Sequence, residues 1–66
     1  MNDLALKLYN RTLELKGVEL NSMQSEKFKL ACEKSILENP NLAFPDLVKA
    51  TRFYLDIILE FPHSVL

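Results

Sequence analysis

The stretch Phe44–Phe61, FPDLVKATRFYLDIILEF, constrains the fold of this chain more than any other. At about 100° per residue, Leu47, Ala50, Thr51, Tyr54, Ile58 and Phe61 fall in one stripe of a helix. Val48, Leu55 and Leu59 flank that stripe on one side, Ile57 flanks it on the other, and Phe53 lies further round. Lys49, Arg52, Asp56 and Glu60 leave a polar strip of roughly a quarter of the cylinder, where a surface helix is usually polar over half or more. Such a helix has to be central to the fold, shared with another chain, or both.

Sixty-six residues allow a single domain, 1–66, close to the size at which one core barely suffices. Chains this short are helped by disulfides, a metal, regular helix packing or oligomerisation. A lone cysteine, Cys32, excludes an internal disulfide, and with one histidine, His63, it cannot supply the four N or S ligands of a structural zinc site. Helix packing and oligomerisation remain.

Hydrophobic residues are 48% and charged residues 26% of the chain, values of an ordinary globular domain and not of a disordered one. Eight Lys plus Arg against nine Asp plus Glu give a net charge of −1 with the signs interleaved, which argues against nucleic acid or an anionic membrane as partner. No apolar run is long enough to span a bilayer, and MNDLALKLYNR lacks the basic and apolar regions of a signal peptide, so a cytoplasmic protein is expected.

Three helices are predicted, at about 3–16, 23–38 and 45–61, with the third central. Asn2 or Asp3 caps the first, and Gly17, the only glycine, stops it at a position that favours a left-handed residue. Its leucines fall in two stripes, Leu4, Leu8 and Leu15 in one and Leu6, Tyr9 and Leu13 in the other, about 150° apart; the pattern fits contacts with two neighbours or, more simply, one broad core face. Val18 and Leu20 should tuck under the helix ends.

Asn21 and Gln24 form a capping-box pair at the start of the second helix, with Ser22 a competing cap. Its core face is Phe28, Ala31, Cys32, Ser35 and Ile36, small enough at three positions for the third helix to approach closely. On nearly the opposite side Met23, Leu30 and Leu37 recur every seven residues among charged side chains, a short seam of coiled-coil spacing. Lys29 with Glu33 and Lys34 with Glu38 are spaced for ion pairs on a solvated face. Pro40 ends this helix and Pro45 suits the first turn of the next. Leu42 and Phe44 should anchor the corner between them. Pro62 stops the third helix, and the tail His63–Leu66 is expected to fray.

No constellation here carries a reaction. Cys32 lies mid-helix on an apolar face with no nearby histidine, the setting of a small core hydrophobe, and His63 stands alone in the tail. Asp56 and Glu60 could pair as carboxylates, but with Lys49 and Arg52 they read more simply as a mixed-charge face. Glycine-rich phosphate loops, HExxH and Ser–His–acid sets are absent. No catalytic activity and no cofactor are expected.

The run SILENPNLAFPDLVKATRFYLDII resembles a helix-turn-helix segment, with a corner at ENPN, a short helix over PDLVKAT, and Arg52 to Ile58 as recognition helix. That resemblance implies a DNA-binding regulator. Phe53, Tyr54, Leu55, Ile57 and Ile58 are core material, however, and only Arg52 suits a base or phosphate. Ser64-Val65-Leu66 is similar to the carboxy-terminal ligands of PDZ-type domains.

Short helical chains of this kind resemble accessory proteins of bacteria and their phages. The expectation is a small all-α interaction module, an adaptor, inhibitor or accessory subunit that binds a protein partner and pairs with itself as a homodimer. A helix-turn-helix regulator and a structural subunit of a larger assembly are the alternatives. Met23, Leu30, Leu37, Phe53 and Leu59 are the candidate interface residues.

Overall fold

A computed structural model of the chain describes residues 2–60. They form three helices, α1 (Asp3–Lys16), α2 (Ser22–Glu38) and α3 (Phe44–Glu60). The expectations for Phe61, Pro62, His63 and the Ser64–Leu66 tail lie outside the described residues.

Local chemistry sets the helix ends. Asn2 Oδ1 accepts from the Ala5 amide at 2.7 Å, which satisfies one of the donors left open at a helix start. Gly17, at φ 71° and ψ 36°, is left-handed, and its N–H donates to the Leu13 carbonyl at 2.8 Å. The capping box of α2 is complete: Gln24 N donates to Asn21 Oδ1 at 2.8 Å and Asn21 N to Gln24 Oε1 at 3.1 Å. With Asn21 as cap, Ser22 is the first helical residue, one earlier than expected. At the other end Asn39 donates to the Ser35 carbonyl through both N (3.0 Å) and Nδ2 (2.9 Å). The Ala43 carbonyl accepts from Leu47 N at 2.9 Å, so α3 starts at Phe44 with Pro45 second, where its missing N–H costs nothing.

Residues that meet across elements give the direction of each helix. Lys7 Nζ lies 4.8 Å from the Phe44 ring centroid, and Lys16 Nζ lies 3.0 Å from Asp56 Oδ1, so α1 and α3 run parallel. Ser35 meets Thr51, whereas Leu30, earlier in α2, shares a groove with Ile57, later in α3, so these two run antiparallel. The result is an up-down-up bundle with extents of 32 × 22 × 19 Å.

One core serves all three helices: Leu8 from α1, Phe28, Ala31 and Cys32 from α2, and Leu47, Val48, Leu55 and Ile58 from α3. The core face predicted for α2 is the observed one, with Ile36 half-buried at its edge. Val18, Leu20 and Phe44 pack against the core as expected, while Leu42 is exposed and leaves the α2–α3 corner to Phe44. Each pair of helices is in contact, so α3 is the largest donor of core side chains but is not enclosed by the other two.

The structure corrects two helix faces. On α1 the buried residues are Leu8, from the first leucine stripe, and Ala5 and Thr12, which lie between the two stripes. Leu4, Leu6 and Leu15 are exposed at the margins, and Tyr9 and Leu13 lean on the core from one side. A helix wedged between two others buries the sector midway between its contacts, and here that sector holds one large apolar side chain, Leu8, beside the small Ala5 and the polar Thr12. On α3 the buried sector (Leu47, Val48, Thr51, Leu55, Ile58) is rotated by about 50° from the predicted stripe, toward α1. Ala50 and Tyr54 become its half-buried edge toward α2.

Candidate interaction surface

The surface of interest is the face shared by α2 and α3. The heptad spacing carries Met23, Leu30 and Leu37 down one line of α2, roughly 150° from its core face. They are 65%, 67% and 82% exposed. On α3, Phe53 is 74% exposed and stands one turn from Ile57, which is half-buried. Leu30 and Ile57 line a groove of about 290 Å³ together with Ala31, Tyr54, Lys27 and Lys34. This groove sets Leu30 of the α2 line against Ile57 of α3, and single exposed apolar side chains are common where such a line on one helix is not.

Of the five candidate interface residues, Met23, Leu30, Leu37 and Phe53 are exposed, and Leu30 lines the groove. Leu59 is half-buried against the core, on the side of α3 that carries Leu55 and Asp56 toward α1. Ile57 and Tyr54 line the groove instead, because the α3 core sector is rotated away from them.

The charges beside this face are not paired as their spacing suggested. Lys29 contacts Glu26 at 3.5 Å. Glu38 accepts a hydrogen bond from Tyr54 Oη at 2.7 Å, and Lys34 Nζ lies 6.0 Å from the Tyr54 ring centroid. The Glu38 carboxylate holds the Tyr54 phenol proton in place and raises its pKa above the usual 10.0, with burial adding in the same direction. Tyr54 thus closes the groove at one end and ties α3 to the last turn of α2.

The groups considered for chemistry lie elsewhere. Cys32 is fully buried in the core, and desolvation, with a smaller contribution from Glu33, pushes its thiol up to about 12. It is protonated packing material at neutral pH. Asp56, one half of the candidate carboxylate pair, forms an ion pair with Lys16 rather than a well-directed hydrogen bond. Among the described residues no cluster of three or more His, Cys, Asp or Glu side chains is arranged for a metal, and no helix is long and apolar enough to cross a membrane.

The helix-turn-helix segmentation is not found. Residues 45–51 and 52–58 belong to one uninterrupted helix, so the corner required between them is missing. Within 52–58, Leu55 and Ile58 are buried, and Arg52 is the one exposed basic side chain. No family model, no curated protein and no solved structure matches this chain.

Proposed function

We propose that this chain is a small protein-binding module, an adaptor, inhibitor or accessory subunit without catalytic activity, and that the α2/α3 face is where it binds. The observation that carries this reading is the line Met23, Leu30 and Leu37 on α2, 65% to 82% exposed, beside a groove that is itself lined by Leu30, Ala31 and Ile57, with Phe53 exposed on α3 one turn from Ile57. Small helical modules present such rows as rigid anchors for partner helices. A cytoplasmic setting suits the single thiol, which is unpaired and buried.

The test uses the double variant Leu30→Glu, Phe53→Glu as control. Both side chains are exposed, so circular dichroism of the variant should match the parent. The parent chain, tagged and expressed in cells, is expected to be recovered in a stoichiometric complex, with itself or another protein, that the variant does not form. A parent chain that is monomeric and retains nothing the variant fails to retain overturns the reading.

A further inference from the structure

Resting on that reading of the α2/α3 face, we infer that its occupant is a second copy of this chain, paired about a twofold axis parallel to α2. The argument is one of charge geometry. Taking the Met23–Leu30–Leu37 line as the centre of the seam, Glu26 and Glu33 lie about 40–60° to one side of it, and Lys27 and Lys34 about 40–60° to the other. The surface is therefore three parallel rows, acidic, apolar and basic, running about 21 Å along the helix.

Such a surface is self-complementary in one orientation only. A twofold axis parallel to the helices exchanges the sides, so the basic row of one copy faces the acidic row of the other along both edges of the seam. A twofold axis perpendicular to the helices keeps the sides and sets lysines against lysines and glutamates against glutamates. Isologous pairing makes either arrangement available to a symmetric dimer, and like-charge juxtaposition suppresses the second. The contact of Lys29 with Glu26 does not prevent this, because exposed pairs at such distances contribute little and can be shared.

The structure also gives the second copy a bed to lie in. Lys27 and Lys34 are on the α3 side of the seam, since they line the groove with Tyr54 and Ile57. The partner's acidic row then comes to rest over that groove, on the side where Ile57 lies. By symmetry the same happens on the other copy. Met23 meets Met23 of the second copy, Leu30 meets Leu30 and Leu37 meets Leu37, with the two α3 helices on opposite sides of the pair.

The experiment is sedimentation and light scattering of the full chain over a range of concentrations, with three sets of variants. Met23→Cys should cross-link to itself on mild oxidation, while the native Cys32 is buried and does not compete. Lys27→Glu with Lys34→Glu, and separately Glu26→Lys with Glu33→Lys, should each weaken self-association by about tenfold or more. A mixture of those two proteins should recover it as a heterodimer. Leu30→Glu should give a folded monomer by circular dichroism.

A dimer that survives Leu30→Glu, or one in which Met23→Cys cross-links only to a Leu37→Cys chain, overturns the inference. So does a parent chain that is monomeric throughout. In that last case a different protein, bound by the parent and lost with Leu30→Glu, Phe53→Glu, would leave the binding-module reading standing while this inference falls.

Discussion

Thr51 Oγ1 lies 2.9 Å from Ser35 Oγ and 2.8 Å from the Leu47 carbonyl oxygen, in the fully buried contact between α2 and α3. A hydroxyl has one proton, so when Thr51 donates to the carbonyl, Ser35 donates to Thr51. The two side chains form one directed chain of hydrogen bonds that crosses between helices, where a neighbouring apolar pair would have no preferred register.

Thr51→Val removes a partner from Ser35 in a fully buried site, and is expected to cost about 1–3 kcal/mol. Ser35→Ala, Thr51→Val should cost less than the two single changes together, because neither group is then left open. Urea unfolding of the four proteins of this cycle measures the coupling; strict additivity would mean that the hydroxyls do not act as a pair.

Core and exposed leucines should separate cleanly. Leu55 is fully buried, and Leu55→Ala is expected to destabilise the fold by about 2–5 kcal/mol. Leu37→Ala, at a position 82% exposed, should change the stability of a single folded chain by about 0.5 kcal/mol or less. Measurement at low concentration, where self-association does not contribute, decides the comparison.

Gly17 has φ 71°, and a Cβ built there would meet nothing within 4 Å. Any loss from Gly17→Ala is therefore backbone strain and not a clash. It should be about 1–2 kcal/mol, read as a lowered thermal midpoint, and Gly17→Asn should recover part of it because asparagine tolerates the left-handed region better.

Alkaline pH should act on the fold through Cys32. Burial raises its thiol from the ordinary 9.0 to about 12. Above pH 9 the unfolded chain releases this proton while the folded chain retains it, so the folded state binds more protons there. Stability contributed by the neutral buried thiol is complete below pH 9 and is lost as pH rises from 9 toward 12. Tyr54, raised in the same direction, adds to the slope, so Cys32→Ala should reduce it without abolishing it. Thiol reagents should react slowly with the native chain and rapidly in denaturant; rapid reaction with the native chain would show that the sulfur is accessible.

The helix ends were legible in the sequence because each is settled within a few residues: Asn2 with Ala5, Asn21 with Gln24, Gly17 with Leu13. The core face of α2 was legible for a similar reason, since Phe28, Ala31, Cys32 and Ser35 contrast with a charged and leucine-marked opposite side. The candidate surface was readable where it consists of one helix's own spacing, as at Met23, Leu30 and Leu37, and Phe53 stood out because it fell outside every predicted contact.

What only the tertiary structure decided is which way α1 and α3 turn, and the physical reason is that each must satisfy two neighbours at once. The buried sector is then the direction between those neighbours, and it need not coincide with the most apolar stripe. That places Ala5 and Thr12 inside and leaves Leu4 and Leu15 out, draws Leu59 toward the core, and brings Ile57 and Tyr54 beside Leu30. Contacts such as Tyr9 with Ser25, Ser35 with Thr51 and Tyr54 with Glu38 span sixteen residues each and have no periodic signature along the chain, so packing alone brings them together. Sequence by itself determined three helices and their limits; the angle at which each helix presents its side chains, and hence which apolar ones stay exposed, came from packing them together.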